Sequence, residues 1–439
     1  MPPLRFFIKT YGCSHNISDS ERMISLLLGA RYKLTNSLKE ADFIVVNTCT
    51  VKTPTEQKIL SYLRQISKLK KPIIVAGCLA QSNFVKSENS FGSIDKELKN
   101  FSIIGVDSIE KIVEVAKKCL KGRRAVALND DKEIYKSANH QTNPLIKIIP
   151  ISSGCLGACA YCKTKLARAN LCSRKIEDIV SEIKIFLKNG IYEFWLSSED
   201  CGAFGIDLET NILDLLKAVE AIPGEFKVRL GMANPEHLYP IRHELADFFL
   251  KTKNFYKFLH IPIQSGNNDI LKAMNRKYST EEVRALIKNL RSRNPDITLA
   301  TDIICGFPGE TKEQFLDTAN LIKDLQFDVF NISKFWPLNG TIAAKMPNQI
   351  NNIEKMRRSK SIKSSFEKST LKRNEFWKKW SGEIFINEKK NKCTFVGRNY
   401  AYKPIVVRSQ ENLLGKRVNI KISEVRELFL RGEIINLDK

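Results

Sequence analysis

Three cysteines crowd one short stretch of this 439-residue chain: GCLGACAYC sets Cys155, Cys159 and Cys162 in a C-x3-C-x2-C array. Thiolates at that spacing can each take one iron of a [4Fe–4S] cluster, and the fourth iron is then left without a protein ligand. Zinc would want a fourth Cys or His close by, and the next cysteine, Cys172, stands ten residues further on. An electron-carrying ferredoxin would want four cysteines per cluster in a much shorter chain. The spacing therefore favours a cluster with one open iron.

Three more cysteines are scattered but not at random. Cys13, Cys49 and Cys78 each stand just past a short apolar run, LRFFIKTY, FIVVNT and PIIVAG. In a parallel sheet, ligands bind beyond the carboxyl ends of the strands, so three thiols distant in sequence would meet on one edge. Buried cysteines more often act as small hydrophobes, but three of three at strand ends favours a metal or cluster site. The remaining five, Cys119, Cys172, Cys201, Cys305 and Cys393, read as ordinary residues.

The elements that must position these groups follow from the hydrophobic pattern. Residues 1–122 alternate short apolar runs with helical stretches, the pattern of a doubly wound parallel sheet. Residues 123–144 are polar and read as a linker. From residue 145 to 350 the alternation resumes as IKIIPI, YEFWLS, FKVRLG, FLHIPI, TLATDIIC and VFNISKF, each followed by a helical stretch. Six such units suit a partial (β/α)6 barrel, whose chemistry lies in the loops at the strand C-termini. Residues 351–375 read as a basic connecting helix. Residues 376–439 turn to short alternating runs, the pattern of a small β-barrel of the oligonucleotide-binding kind. The fold class is thus α/β with a small C-terminal β-barrel.

Charge points to a partner. The chain carries 71 Lys and Arg against 48 Asp and Glu, a net of +23. Residues 351–439 hold 22 of the basic and 10 of the acidic residues, so about half of the excess lies in the last fifth of the chain. An excess of this kind favours a polyanion. Arg398, Tyr400, Tyr402, Lys403 and Arg408 are the candidate RNA contacts on the small barrel. No apolar run is long enough to cross a membrane, and the start MPPLRFFIKTYGC lacks the layout of a secretory signal. A cytoplasmic location with reduced thiols is expected.

With these residues in view, a family resemblance can be stated. GCLGACAYC, with Tyr161 before its last cysteine, resembles the radical S-adenosylmethionine (AdoMet) loop. TYGCSHNISDSE, VVNTCTVKTPTE and VAGCLAQ, centred on Cys13, Cys49 and Cys78, resemble the N-terminal cluster motifs of methylthiotransferases. LHIPIQSGNNDILKAMNRKYS and TDIICGFPGET are similar to two further motifs of that family. The likeness covers essentially the whole chain, which would end in a TRAM domain. CAYCKTKLARANLCS, LSSEDCGAFGIDL and NISKFWPLNGTIAAKM resemble the archaeal and eukaryotic branch.

The resemblance implies a reaction. That branch converts N6-threonylcarbamoyladenosine at position 37 of tRNA, beside the anticodon, to its 2-methylthio derivative. AdoMet would chelate the open iron of the Cys155/Cys159/Cys162 cluster and be cleaved to a 5′-deoxyadenosyl radical. A second [4Fe–4S] cluster on Cys13, Cys49 and Cys78 would hold the sulfur to be transferred. The implied partners are the tRNA, an electron donor of ferredoxin or flavodoxin type and a sulfur source, with no membrane. Tyr161, Glu199, Asp200, Gln264 and Ser265 are the candidate cofactor-binding residues. Helix capping is the alternative for Glu199 and Asp200, and a turn before a helix for Gln264 and Ser265. Cys201, beside those carboxylates, is the one spare cysteine that could line the pocket. Pro308 and Gly309 shape a loop, and His260, in an apolar run, reads as a core residue. PLNGT stands where the family usually has a Pro-Arg-Pro-Gly-Thr run, and QSGNN where a third Ser is usual, so a basic side chain near the active face is lost. Sister activities on isopentenyladenosine or on a ribosomal-protein aspartate are the alternatives, with a non-catalytic iron–sulfur RNA-binding protein as the reading from a different class.

Overall fold

Strands form where β-branched runs meet turn residues, and each is covered by the helix that follows it. In the computed structural model, which describes residues 2–84, 97–128 and 138–437, the first such group is an all-parallel sheet. Its strands are β1 (Arg5–Thr10), β2 (Lys33–Leu34), β3 (Phe43–Thr48), β4 (Ile73–Gly77), β5 (Ser102–Ile104) and β6 (Val126–Ala127), in the order β2-β1-β3-β4-β5-β6. The central strands β3 and β4 are buried along their whole length, as strands covered on both faces must be. Gly77 ends β4 at φ +93, where a Cβ would stand 2.6 Å from the Thr48 carbonyl oxygen. Only glycine lets the two strand ends close up beside Cys78.

The segment read as a linker is partly structured. Its residues 126–127 pair in parallel with β5, extending the sheet by one edge strand. Further on, the Thr142 amide donates to Glu21 and the His140 amide to Ser25, tying the chain to the helix Ser14–Gly29. A polar composition cannot distinguish a free linker from one held by hydrogen bonds. Residues 129–137 lie outside the described residues.

The middle of the chain is the expected partial barrel. β7 (Ile146–Pro150) leads into the short antiparallel pair β8 (Ser152–Ser153) and β9 (Cys172–Ser173). The barrel continues through β10 (Glu193–Ser197), β11 (Lys227–Leu230), β12 (Phe258–His260), β13 (Thr298–Cys305) and β14 (Val329–Lys334). β7, β10 and β11 form one parallel half and β12, β13 and β14 the other. Single bridges, Val228 to Phe255 and Met232 to His260, join the halves. The helices outside start on strong caps. Ser279 with Glu282 and Thr311 with Gln314 form reciprocal capping boxes, each cap stabilising its helix by about 1 kcal/mol.

Helix Asn352–Glu375 buries a single stripe, including Arg358, Ile362, Phe366, Thr370 and Asn374. The spacing of 3 to 4 residues is that of one helical face. Its other face carries Lys360, Lys363, Lys368 and Lys372 in solvent. Among the described residues, no helix is long and apolar enough to cross a membrane.

The C-terminal strands β15 (Ser381–Asn391), β16 (Thr394–Arg398), β17 (Pro404–Arg408), β18 (Arg417–Val425) and β19 (Leu430–Leu437) close in the order β15-β16-β17-β19-β18. This small barrel docks on the N-terminal ends of the large barrel's strands. Asn387 donates to Glu193 at the start of β10, and the Lys257 amide beside β12 donates to the Tyr400 carbonyl. At the start of β14 the fully buried Asp328 meets Lys403 at 2.9 Å, Arg373 at 3.1 Å and Arg291 at 3.4 Å.

That docking corrects two of the candidate RNA contacts. Lys403 is only 3% exposed and is spent on Asp328. Tyr402 packs on Tyr256 and Phe258, with Arg229 and Arg398 over its ring. Basic and aromatic residues serve an intramolecular seam as well as they serve a nucleic acid. Arg408 remains exposed, and Tyr400 is exposed at one edge while packing on Trp377 and Trp380.

Candidate active site

The loop after β7 carries Cys155, Cys159 and Cys162, at the strand end where such barrels place their chemistry. Gly154, at φ +86, opens it, and a Cβ there would stand 1.9 Å from the Asn170 carbonyl oxygen. The loop is fastened by the Ala160 amide donating to the Met274 carbonyl, Asn275 to the Ala158 carbonyl and Lys165 to the Cys155 carbonyl. Each of the three sulfurs receives an N–H: Cys155 from the Gly157 amide at 3.3 Å, Cys159 from Arg276 at 3.2 Å and Cys162 from the Thr164 amide at 3.4 Å. A side chain at Gly157 would lie 3.4 Å from Cys155 Sγ and 3.8 Å from Cys159 Sγ, so these two sulfurs flank one spot. Burial, and then the Asp200 carboxylate, push the Cys155 thiol up to about 12. Burial and the neighbouring Cys159 push Cys162 up as well.

The scattered cysteines converge at the carboxyl ends of β1, β3 and β4. Cys13 caps the helix Ser14–Gly29, Cys49 follows β3, and Cys78 opens the helix Cys78–Phe84. Asn16 ties them together. It accepts from Cys13 Sγ at 3.3 Å and donates to Cys78 Sγ at 3.8 Å and to the Thr48 carbonyl at 3.1 Å. Cys49 and Cys78 are buried and Cys13 is exposed; the protein packed around them raises all three thiols, Cys78 to about 12, and the positive charge of Arg168 on the large barrel opposes that rise at each of them.

Both thiol sets fit an iron–sulfur cluster. Three soft ligands crowd each site, N–H donors aim at sulfur, and burial disfavours thiolates unless a cation joins them. Among the described residues, no three His, Cys, Asp or Glu side chains converge closely enough to hold a single metal ion. Ligands to different irons of one cluster need not converge on a single point.

Two buried ion pairs lock the sets towards each other. The segment just after Cys162 runs into the N-terminal domain, where Lys163 meets Glu56 at 3.2 Å and Asn83 at 3.0 Å. Arg168 pairs with Asp19 of that domain and, at 3.0 Å, with Glu199 of the barrel. His15 Nδ1 lies 3.2 Å from the same Glu199 carboxylate. Cys78, Val106 and Ala167 make a small apolar contact beside them.

The remaining sequence candidates are placed as follows. Tyr161 is packed edge-on to Phe307 and borders a cavity of 330 Å3 at the barrel mouth. Gln264 borders the same cavity and holds φ +60, a strained setting of the kind that collects at functional sites. Ser265 is turned to the protein, bonding Thr318 and the Asn267 amide. Glu199 is engaged by Arg168, His15 and the Gly154 amide. Asp200 accepts from the Gly202 and Asn234 amides, both at 3.0 Å, and from the Asn234 side chain. These two carboxylates brace loops. Cys201 is fully buried in the barrel core, so it does not line the cavity. Gly309 bonds Asn348 within its loop.

Several residues escaped the sequence reading. His260 is not a plain core residue: it borders the cavity and lies 3.0 Å from Asp302, which also accepts from Asn331 at 2.8 Å. An acid inside the apolar run TLATDIIC was the available signal. Arg276 bonds Cys159, Asn234 and the Pro262 carbonyl, and its position in MNRKYS gave no hint of a partner 117 residues away. In PLNGT, Leu338 borders the cavity and is buried.

Fold and thiol geometry together define a radical AdoMet protein, and the comparisons agree. Residues 149–322 match the Radical SAM superfamily, residues 383–435 the TRAM domain and residues 5–96 the Uncharacterized protein family UPF0004. The fold is shared with the radical S-adenosylmethionine methyltransferase TsrM from Kitasatospora setae at TM-score 0.54 and 14% identity, over 78% of this chain and 77% of that one. Among sequence relatives, threonylcarbamoyladenosine tRNA methylthiotransferases from Xenopus laevis and Homo sapiens are each 36% identical over 98% of this chain, covering 77% and 74% of their own length. A Pyrococcus horikoshii protein, named as a probable enzyme of the same kind, is 36% identical over 98% of this chain and all of its own. The chain belongs to the threonylcarbamoyladenosine tRNA methylthiotransferase family.

Proposed function

We propose that this chain converts N6-threonylcarbamoyladenosine at position 37 of tRNA to 2-methylthio-N6-threonylcarbamoyladenosine. The observation that carries the reading is the cavity beside Cys162, which the segment after Cys49 also borders. Its 330 Å3 is bordered by Tyr161 and Cys162 on one side and by Val51 and Lys52, just past Cys49, on the other. Adenine C2 resists polar substitution, and a target enclosed between a hydrogen-abstracting centre and a sulfur donor suits a radical route. Cys155, Cys159 and Cys162 would hold one [4Fe–4S] cluster, with AdoMet on its open iron, and Cys13, Cys49 and Cys78 a second. When bound, these groups supply the electron, the radical and the methylated sulfur.

The chain's own residues supply placement. The Gly157 and Thr164 amides and Arg276 steady the thiolates. Lys163 with Glu56, and Arg168 with Asp19 and Glu199, fix one thiol set relative to the other. An electron donor of ferredoxin or flavodoxin class and a sulfur source complete the reaction.

The test is mass spectrometry of tRNA nucleosides from cells lacking the protein and from cells carrying Cys13→Ala or Cys159→Ala. The expected result is loss of the methylthio nucleoside in all three, with its threonylcarbamoyl parent accumulating. Unchanged nucleosides would refute the substrate.

A further inference from the structure

The cavity carries more charge than the chemistry at the thiol sets requires. Lys52 reaches it from the N-terminal domain and Lys334 from the end of β14. Among the described residues neither lysine has a carboxylate within ion-pair distance, and Lys334 Nζ instead stands 5.0 Å from the centre of the Trp336 ring. Lys52 is exposed and Lys334 half-buried, whereas the buried Lys163, which borders the same cavity, is matched by Glu56. The acid of the cavity, Asp302, accepts from Asn331 and lies beside His260; it feels the charge of Lys52 but stands in an ion pair with neither lysine. Unmatched cations around an enclosed space favour an anionic ligand.

Resting on the function proposed above, we infer that this cavity reads the substituent on the adenine: Lys334 and Lys52 pair with the carboxylate of the threonylcarbamoyl group, and Trp336 stacks on the base. The size agrees, because 330 Å3 lies at the lower end of ligand pockets, about 300–1,000 Å3, and suits one substituted base. The charge agrees too. A hydrocarbon substituent such as isopentenyl offers the lysines nothing, and a site built to pair a polar group rejects a substrate that lacks it. Trp336 is half-buried beside the ammonium, so one indole can face a base while Lys334 reaches past its edge.

The test uses the full-length reconstituted protein, without reductant, and two synthetic anticodon stem-loops. These are identical except that one carries threonylcarbamoyladenosine and the other adenosine next to the anticodon. Binding is read by fluorescence anisotropy for the wild type, Lys52→Gln/Lys334→Gln and Lys334→Arg, with melting temperature and iron content as controls for folding. The wild type is expected to prefer the modified RNA by about tenfold, the scale of one charge-assisted hydrogen bond. The double glutamine variant should lose that preference while binding the unmodified RNA as before, and Lys334→Arg should keep most of it. A double variant that retains the preference overturns the inference alone. So does one that weakens both RNAs equally, because the lysines would then be gripping phosphate. A wild type with no preference overturns the functional reading and this inference with it.

Discussion

At the scale of single residues, Arg276 is the most informative side chain outside the cysteines. Its guanidinium donates to Cys159 at 3.2 Å and is held in turn by Asn234, which Asp200 fixes from behind. Outer partners of metal ligands orient them and tune the metal, and their loss typically costs about 10–100-fold in affinity or activity. Arg276→Gln is therefore expected to leave the chain folded, to lower AdoMet cleavage by about that factor and to shift downward the potential of the cluster proposed on Cys155, Cys159 and Cys162, because an N–H donor to sulfur favours the reduced form. Electron paramagnetic resonance during a redox titration reads the shift, and an unchanged potential would show that Arg276 only packs. The two thiol sets should separate in the same assay. Cys159→Ala is expected to abolish AdoMet cleavage, whereas Cys13→Ala should keep cleavage and lose methylthio transfer.

At the scale of elements, the segment from Cys162 to Arg168 joins the two thiol sets. It leaves the loop of Cys155, Cys159 and Cys162, enters the N-terminal domain and meets Glu56 and Asp19 there. Breaking one partner of a buried pair costs about 3–5 kcal/mol because a charge is stranded. Lys163→Met should lower the melting temperature sharply, and adding Glu56→Gln should restore much of it. A single variant as stable as the wild type would show that the pair holds nothing. The same segment shows where the sequence was legible. All six cysteines stood at strand ends that periodicity could locate, because a strand writes its ends locally in Val, Ile, Gly and Pro. So did the six barrel strands and the closed C-terminal barrel. What was not legible depends on contacts across the fold. Lys163 and Arg168 look like surface charges in KTKLARAN until the N-terminal domain supplies their partners. Glu199 and Asp200 were recognisable as strand-end carboxylates, yet only the fold reveals that Arg168 and Asn234 engage them. Lys403 and Tyr402 had the right composition for RNA and are spent on Asp328 and Tyr256.

At the scale of the whole molecule, the two barrels stand end to end. The C-terminal barrel covers the N-terminal ends of the large barrel's strands, while the cavity opens at the opposite ends. Asp328 is the keystone of that seam. Burial pushes its carboxyl up, but Lys403, Arg373 and Arg291 outweigh burial and hold it below its ordinary range. A depressed carboxyl contributes stability above its unfolded value of about 3.9 and loses it as pH falls through the folded value. Asp328→Asn should therefore melt well below the wild type at pH 7, and the gap between the two should close as the medium is taken below about pH 4. A gap independent of pH would mean that shape, not charge, holds the seam. A tRNA that reaches the cavity and also touches the C-terminal barrel must span the height of the large barrel. One element makes that span. Helix Asn352–Glu375 starts beside the Gly306–Glu310 loop at the cavity end, where Arg358 holds Glu310, and finishes where Asn374 meets Lys403 at the seam. Its 24 residues cover about 36 Å at 1.5 Å each, and its outer face presents Lys360, Lys363, Lys368 and Lys372. Replacing all four with glutamine should leave the melting temperature unchanged, since none is buried. The same change should weaken tRNA binding and flatten its dependence on salt, by about 0.7–0.9 in slope for each phosphate contact removed. An unchanged salt slope would show that the RNA takes another route to the cavity.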